Sequence, residues 1–435
     1  MESFQHGSKN NNAQGENSDI VSNSHFMSET STKNAQESRT GTELNGINES
    51  ESCIEKRGFL ENREVEGHRP LTFFRVIRGI SCLLILVSTA FMTLIFLAPV
   101  SSLILRLFSI HYSREATSFL FGHWLEMWPF LFEKINKTKV IFSGHCVAPR
   151  ERILLISNHR TEVDWMYLWN FALRKNSLGY IKYILKSSVR NAPIFGWGFH
   201  ILEFILVERK WEQDKPVIES MLSTFKDPQD PLWLVLFPEG TDFTEEKCRR
   251  SRKFAEEHGL PVLNNVLLPR TKGFASSLAL LRGSLDAVYD VTIGYNYRCP
   301  TFMDNVFGMD PAEVHIHVRR VPINEMPTSE DAVACWLNDA FHYKDELLST
   351  FSVKGCFPDS DVEGELPTFK CLLNFAVMVI ATALIFTFTI VFSTWLKIYV
   401  ALSCVYFAGA TYFNFWPTPV FGCLAGRMSH GKTYK

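Results

Sequence analysis

The chain has no G-x-S-x-G elbow, no G-x-G-x-x-G turn and no H-E-x-x-H helix, so serine hydrolase, dehydrogenase and zinc-protease readings lose their usual anchors. Its ten cysteines include no C-x-x-C pair. Cys82, Cys371, Cys404 and Cys423 lie in or beside strongly apolar segments, where cysteine behaves as a small hydrophobe, so neither a disulfide framework nor a zinc site is expected. A net charge of -2 over 435 residues leaves no global basic field of the kind nucleic-acid binders carry. Nucleic acid is excluded as a partner, and anion binding falls to local patches. Aromatic residues are scarce over residues 1–70, a stretch rich in Asn, Ser, Glu, Gln and Gly with too little apolar area to offset ordering entropy. A disordered tail is expected there, and it lacks the basic start and apolar run of a cleaved signal peptide.

Charge is missing altogether from residues 79–105, 371–396 and 398–426. Each stretch exceeds the ~20 residues that cross a bilayer. The second and third suggest a transmembrane hairpin over residues 366–426 with Lys397 at its tip, followed by a basic tail at 427–435. The first, within an N-terminal membrane or interfacial segment at 71–135, contains Pro99 and precedes the aromatic-rich WLEMWPFLF, which suits a re-entrant element as well as a span.

Between them, over residues 136–365, short apolar runs alternate with helix-like segments. Strands are expected at 151–157, 200–208, 232–237, 286–295 and 313–320, and helices at 161–174, 215–224, 245–258 and 329–348. The fold class is α/β, with a mixed central sheet flanked by helices.

Where the first strand stops, the sequence continues NHRTEVD, residues 158–164. On one helix, His159 and Asp164 would stand roughly 140° apart and could not meet. They meet only if His159 sits on the turn before a helix starting at Thr161-x-x-Asp164. Asp164 would then orient the imidazole and leave its other nitrogen free as a general base. Thr161-x-x-Asp164 also satisfies a plain helix-capping pattern, so context decides.

That context is FPEGT, residues 237–241, directly after a run apolar enough for a central strand. Two polar turns at the carboxyl ends of neighbouring strands face one crevice. Gly240 permits close approach by a ligand, Thr241 offers a hydroxyl, and Glu239 accepts hydrogen bonds; a surface turn is the bland alternative. FILVER ends in Arg209, whose planar fork suits a phosphate monoester. LLPRTKGF repeats the theme with Arg270 and Lys272. KCRRSRK, residues 247–253, would attract anionic groups or form a solvated helix face. Glu313, His315 and His317 share one face of a strand, where alternating polar residues are far commoner than a metal site.

NHRTEVD resembles the NHxxxxD box of the glycerolipid acyltransferases, and FPEGT resembles their third box. FILVER is similar to the second box, with Glu208 where Asp is usual, and LLPRTKGF resembles the branch of lysocardiolipin acyltransferase and the long plant-type lysophosphatidic acid acyltransferases. The resemblance covers about residues 70–420. It implies acyl transfer from acyl-CoA to the sn-2 hydroxyl of 1-acylglycerol-3-phosphate, with no metal, cofactor or covalent intermediate. His159 and Asp164 would be catalytic, and Asn158, Arg209, Glu239, Gly240, Thr241, Arg270 and Lys272 would bind substrate. Alternatives are another acceptor, such as lysophosphatidylinositol or lysocardiolipin, or a non-catalytic lipid-binding protein of the same fold.

Lys56, Arg57, Arg63, Arg69, Arg75 and Arg78 before the first apolar stretch, and Arg427, Lys432 and Lys435 at the end, both favour the cytosol. Both hold only if the first stretch dips into the membrane and returns, which puts the catalytic domain on the cytosolic face of an internal membrane, the endoplasmic reticulum being expected. The glycosylation acceptor Asn136-Lys137-Thr138 should then stay unmodified.

Overall fold

The computed structural model describes residues 69–359 and 363–416; the polar tail and the basic C-terminus fall outside them, apart from Arg69 and Pro70. Strands β1 (Lys139–Gly144), β2 (Ile153–Ser157), β3 (Ile181–Lys186), β4 (Ile205–Val207), β5 (Trp233–Leu236), β6 (Ala287–Tyr295) and β7 (Glu313–Pro322) form one sheet in the order β1-β7-β6-β2-β5-β3-β4. Neighbours run parallel except β6 and β7, which run antiparallel. This is the mixed α/β sheet that the sequence suggested.

The β2 residues show why the sheet needs helices on both faces. All five are buried, with Ile153 and Leu155 entering one core and Leu154 and Ile156 the other. Helices α1 (Phe73–Met92), α2 (Ile110–Pro129) and α3 (Asp164–Arg174) supply the first core, where Leu86, Trp124, Trp128, Trp169 and Phe171 meet. After α4 (Phe195–Ile201), helix α5 (Trp211–Ser223) covers the other face with α7 (Thr271–Leu281) and α9 (Glu330–Lys354), α6 (Glu245–Glu257) and α8 (Phe302–Phe307) lying between them in the chain. Helices α10 (Thr368–Val391) and α11 (Thr394–Tyr412) close the chain.

The first apolar stretch does not turn back at Pro99: it stays helical to Phe108, and the chain reverses only at Ser109, past its end. Thr72 caps α1, the helix widens into π-turns on either side of Pro99, whose missing N–H cannot continue the ladder, and Ser109 caps the returning α2. Close contacts hold the pair to the sheet: Gly79 lies where a Cβ would strike Phe307, and a Cβ on Gly179 would strike the Ser118 carbonyl. The hairpin is fastened at both ends. Arg69 donates to the carbonyls of Asn136 and Lys137, Arg75 to Gly308 and Arg78 to Phe307, while Arg106 and Arg114 pair with Glu203 at the turn. Among the described residues, Phe73–Leu97 and Thr368–Val391 are the helices long and apolar enough to cross a membrane.

Several expectations need correction. Residues 200–208 are not one strand: α4 runs to Ile201, and Glu203 at φ +57° turns the chain before three residues of β4. An apolar run of this length fits helix or strand equally by periodicity, and the turn decides. The helix expected from Thr161 begins at Asp164. Lys397 is not at a hairpin tip; the chain turns at Phe392 and Ser393, and Ser393 caps α11 with Lys397 in its first turn. Strands β1 (KVIFSG) and β3 (IKYILK) were unforeseen because lysines interrupt their apolar runs.

Candidate active site

Parallel strands β2, β3, β4, β5 and β6 point their carboxyl ends toward one edge of the sheet, and the polar turns collect there. His159 lies on the turn between β2 and α3, five residues ahead of Asp164 at the start of the helix. Its Nδ1 is 2.9 Å from Oδ2 of Asp164, so Nδ1 carries the proton toward the carboxylate and Nε2 is left as the basic nitrogen. Asp164 is fully buried and its other contacts are donors: the Thr161 amide at 2.9 Å on Oδ2 and the Tyr295 hydroxyl at 2.6 Å on Oδ1. Tyr295, the last residue of β6, escaped sequence reading because a tyrosine ending an apolar strand carries no motif. Phe237 stacks on the His159 ring with centroids 4.4 Å apart.

The second polar turn joins the first through Glu239. Its Oε1 accepts from the His159 amide at 2.7 Å and its Oε2 from the Leu267 amide at 2.9 Å, and the side chain is buried. Glu239 is therefore turned inward, each of its oxygens accepting from one backbone N–H. Asn158 is turned inward in the same way, its amide pairing with the backbone N–H and C=O of Ile293 on β6. Both departures have one cause: at a strand end the backbone groups no longer paired in the sheet must find partners, and these side chains supply them.

Residues 133–296 match the family model described as Acyltransferase, and residues 305–380 match Acyltransferase C-terminus. The "Probable 1-acyl-sn-glycerol-3-phosphate acyltransferase 5" of Arabidopsis thaliana is 57% identical, covering 83% of this chain and 96% of its own length. The chain belongs to the acyltransferase family. Lysocardiolipin acyltransferase 1 of Mus musculus is 39% identical over 63% of this chain and 73% of its own length. For 1-acyl-sn-glycerol-3-phosphate acyltransferase 2 of Arabidopsis thaliana the figures are 33%, 57% and 64%.

In this acyltransferase the cations stand beside the second polar turn. Arg209 follows β4 at φ +64°, and Gly240 at φ +72° leaves room for Arg270, whose Nε would lie 3.2 Å from a Cβ at that position. Burial, then the like charge of Arg270, push Arg209 below the usual arginine range, with Asp242 opposing. Two like-charged guanidiniums thus stand close enough to repel one another beside this turn. Thr241 is engaged by Asp242 and by Lys247, whose ammonium also pairs with Asp242 at 2.9 Å. Lys272 is exposed in the first turn of α7 and makes no hydrogen bond or ion pair among the described residues. Of the remaining KCRRSRK cations, Arg249, Arg250 and Lys253 form a solvated face, Arg250 pairing with Glu246 and Lys253 with Glu257 along α6, while half-buried Arg252 donates to the Leu263 carbonyl. His315 and His317 are buried in β7 against Phe351 and Phe357, and Ser143 lies 3.0 Å from the His317 ring.

Electrostatics separate the roles of the acids and the base. Burial pushes the His159 imidazole down, but the Asp164 hydrogen bond and charge outweigh it and leave the pKa raised. Burial lifts Glu239 to about 7 in spite of its two backbone donors. Asp164 differs in having a hydroxyl, an amide and the imidazole all directed at its carboxylate.

Proposed function

We propose that the chain transfers an acyl group from acyl-CoA to the sn-2 hydroxyl of 1-acyl-sn-glycerol-3-phosphate, giving phosphatidic acid. The observation that carries this reading is a buried Asp–His pair, with Nε2 unengaged, beside two close arginines at one sheet edge. His159 Nε2 takes the proton of the acceptor hydroxyl as its oxygen attacks the thioester carbonyl carbon. The resulting oxyanion collapses, the C–S bond breaks, and the CoA thiolate leaves and takes up the proton. Asp164, oriented by Tyr295 and Thr161, stabilises the imidazolium formed in between. Arg209 and Arg270 hold the acceptor phosphate and align its hydroxyl.

Glu239 and Asn158 act through the backbone, as positioning residues. Thr241 completes the turn, and Lys272 supplies long-range attraction for the anionic substrates. The apolar helices α1, α10 and α11 seat the protein in an internal membrane, the endoplasmic reticulum, with the site on the cytosolic side. The relatives named for lysocardiolipin favour a second reading on another lysophospholipid.

A panel of lysolipids with labelled acyl-CoA, using His159→Ala as the blank, tests both readings. Phosphatidic acid as the preferred product supports the first; preference for lysophosphatidylinositol or lysocardiolipin moves the acceptor; no transfer above the blank overturns the reading.

A further inference from the structure

The opposite edge of the sheet carries a second group of cations. Arg152 precedes β2, Lys182 is the second residue of β3, and Asp230 precedes β5, all at strand amino ends. With Arg114 and Glu115 of α2 they line a narrow, solvent-open recess of about 20 Å³. The length of β2 separates it from the His159 turn by roughly 17 Å.

Two of these cations have no ion pair of their own among the described residues. Arg152 and Lys182 are each only 6% exposed. Arg152 donates Nε to the Ser284 carbonyl and Nη2 to the Phe225 carbonyl, while its buried Nη1 has no hydrogen-bond partner. Lys182 donates to the Leu202 carbonyl at 2.6 Å and meets no carboxylate within ion-pair distance among the described residues. Of the acids nearby, Asp230 pairs with His111 and Arg114, Glu203 with Arg106 and Arg114, Asp286 accepts the backbone N–H of Arg152 at 2.7 Å, and Asp227 accepts that of Gln229; the charges of Asp230, Asp286 and Asp227 act on Arg152 and that of Glu203 on Lys182. Glu115 remains, exposed at the rim. A water would satisfy the orphaned N–H of Arg152 but would neutralise neither cation.

We propose that this recess is a second anion site, taking a phosphate group between Arg152 and Lys182. The wall formed by α2 indicates how that group arrives. Tyr112 and Phe119, 66% and 65% exposed, share one face of α2 with Glu115 at the rim, so a phospholipid headgroup entering the recess would lay its chains along them. Free phosphate shares the headgroup chemistry but gains nothing from the aromatic wall.

The test uses the full chain in detergent with the catalytic phosphate place disabled by Arg209→Ala and Arg270→Ala, so that it does not depend on acyl transfer. In that background inorganic phosphate should still bind with a stoichiometry of one by calorimetry. Lys182→Gln should weaken binding at least tenfold. Glu115→Gln, an exposed substitution that leaves folding intact, should tighten it severalfold by removing a like charge. Dioctanoyl phosphatidic acid binding at least tenfold more tightly than inorganic phosphate assigns the site to lipid; equal affinity keeps the site and assigns it to free phosphate. Loss of all phosphate binding in the double-arginine background, or affinity unmoved by Glu115→Gln, overturns the proposal.

Discussion

Replacing Glu239 with glutamine separates a positioning role from a substrate contact. The carboxylate is buried and accepts from His159 N at 2.7 Å and from Leu267 N at 2.9 Å. A carboxyl lifted from 4.5 to about 7 costs the fold about 3 kcal/mol when ionised. Because the folded-state value is the higher one, this cost is complete above pH 7 and fades as pH falls toward 4.5. Glutamine removes the cost. Against that gain, its amide offers one acceptor oxygen where the carboxylate offers two, so one buried backbone N–H faces an NH2 group and loses its partner, at about 1–3 kcal/mol.

The two terms nearly cancel, and unfolding free energy at pH 8 should stay within about 2 kcal/mol of the parent. Catalytic geometry has no such cancellation. The orphaned N–H belongs to the turn that aims His159 or to its neighbour, and a displacement on the order of 1 Å at a base costs up to ~10²-fold in turnover. With saturating acyl-CoA, kcat should fall 10- to 100-fold, and the KM for the lysolipid acceptor should stay within about twofold. A raised acceptor KM with unchanged kcat would show that Glu239 faces the substrate and refute the reasoning.

Tyr295→Phe removes the hydroxyl from Asp164, leaves that carboxylate more strongly negative and raises the His159 pKa further. The parent kcat/KM should fall on the acid side with a midpoint above ~6.5, and the variant's midpoint should lie higher still; an unmoved profile would detach Tyr295 from the pair. His159→Ala and Asp164→Asn should each cost at least ~10²-fold in transfer while the protein stays folded, as thermal denaturation would check. Arg209→Lys should raise the acceptor KM more than the acyl-CoA KM, since a planar fork gives way to a point charge; a defect confined to acyl-CoA would move Arg209 to the donor side.

The reactive pair was readable in the sequence because its geometry is local. A separation of five positions between His159 and Asp164 forbids their meeting on a shared helix, so a turn had to intervene, and β2 ends where that turn is needed. The two strands that escaped notice are amphipathic at their ends: Lys139 opens β1, and Lys182 and Lys186 break the apolar run of β3. What the sequence could not show was direction. Glu239 and Asn158 occupy motif positions that suggest a ligand, yet their polar atoms turn to the amides of His159, Leu267 and Ile293. Whether a strand-end side chain faces outward or serves the backbone depends on partners 28 to 135 residues away. Tyr295 was invisible for the same reason, being 131 residues from Asp164.

Membrane topology is where charge counting and structure diverge most. The positive-inside tendency treats arginines before an apolar stretch as free charges held back by the bilayer. Here Arg69, Arg75 and Arg78 are spent on carbonyls at residues 136, 137, 307 and 308, so the start of α1 is fixed to the catalytic domain by hydrogen bonds. Arg106 and Arg114 fix the far end to Glu203 on that domain. A helix tied to one domain at both ends and followed by an antiparallel partner is held against that domain along its length. The same contacts alter the meaning of Asn136 as a reporter. Its side chain is buried and donates to the Asn305 carbonyl at 2.7 Å, and Thr138 is buried against Pro311, so a glycan at that position is incompatible with the fold on either side of the membrane. Glycosidase treatment should produce no shift in the active enzyme, and a shift abolished by Asn136→Gln should appear only in protein that has lost activity. A glycosylated, fully active enzyme would contradict both the returning hairpin and the packing of α1 against the domain.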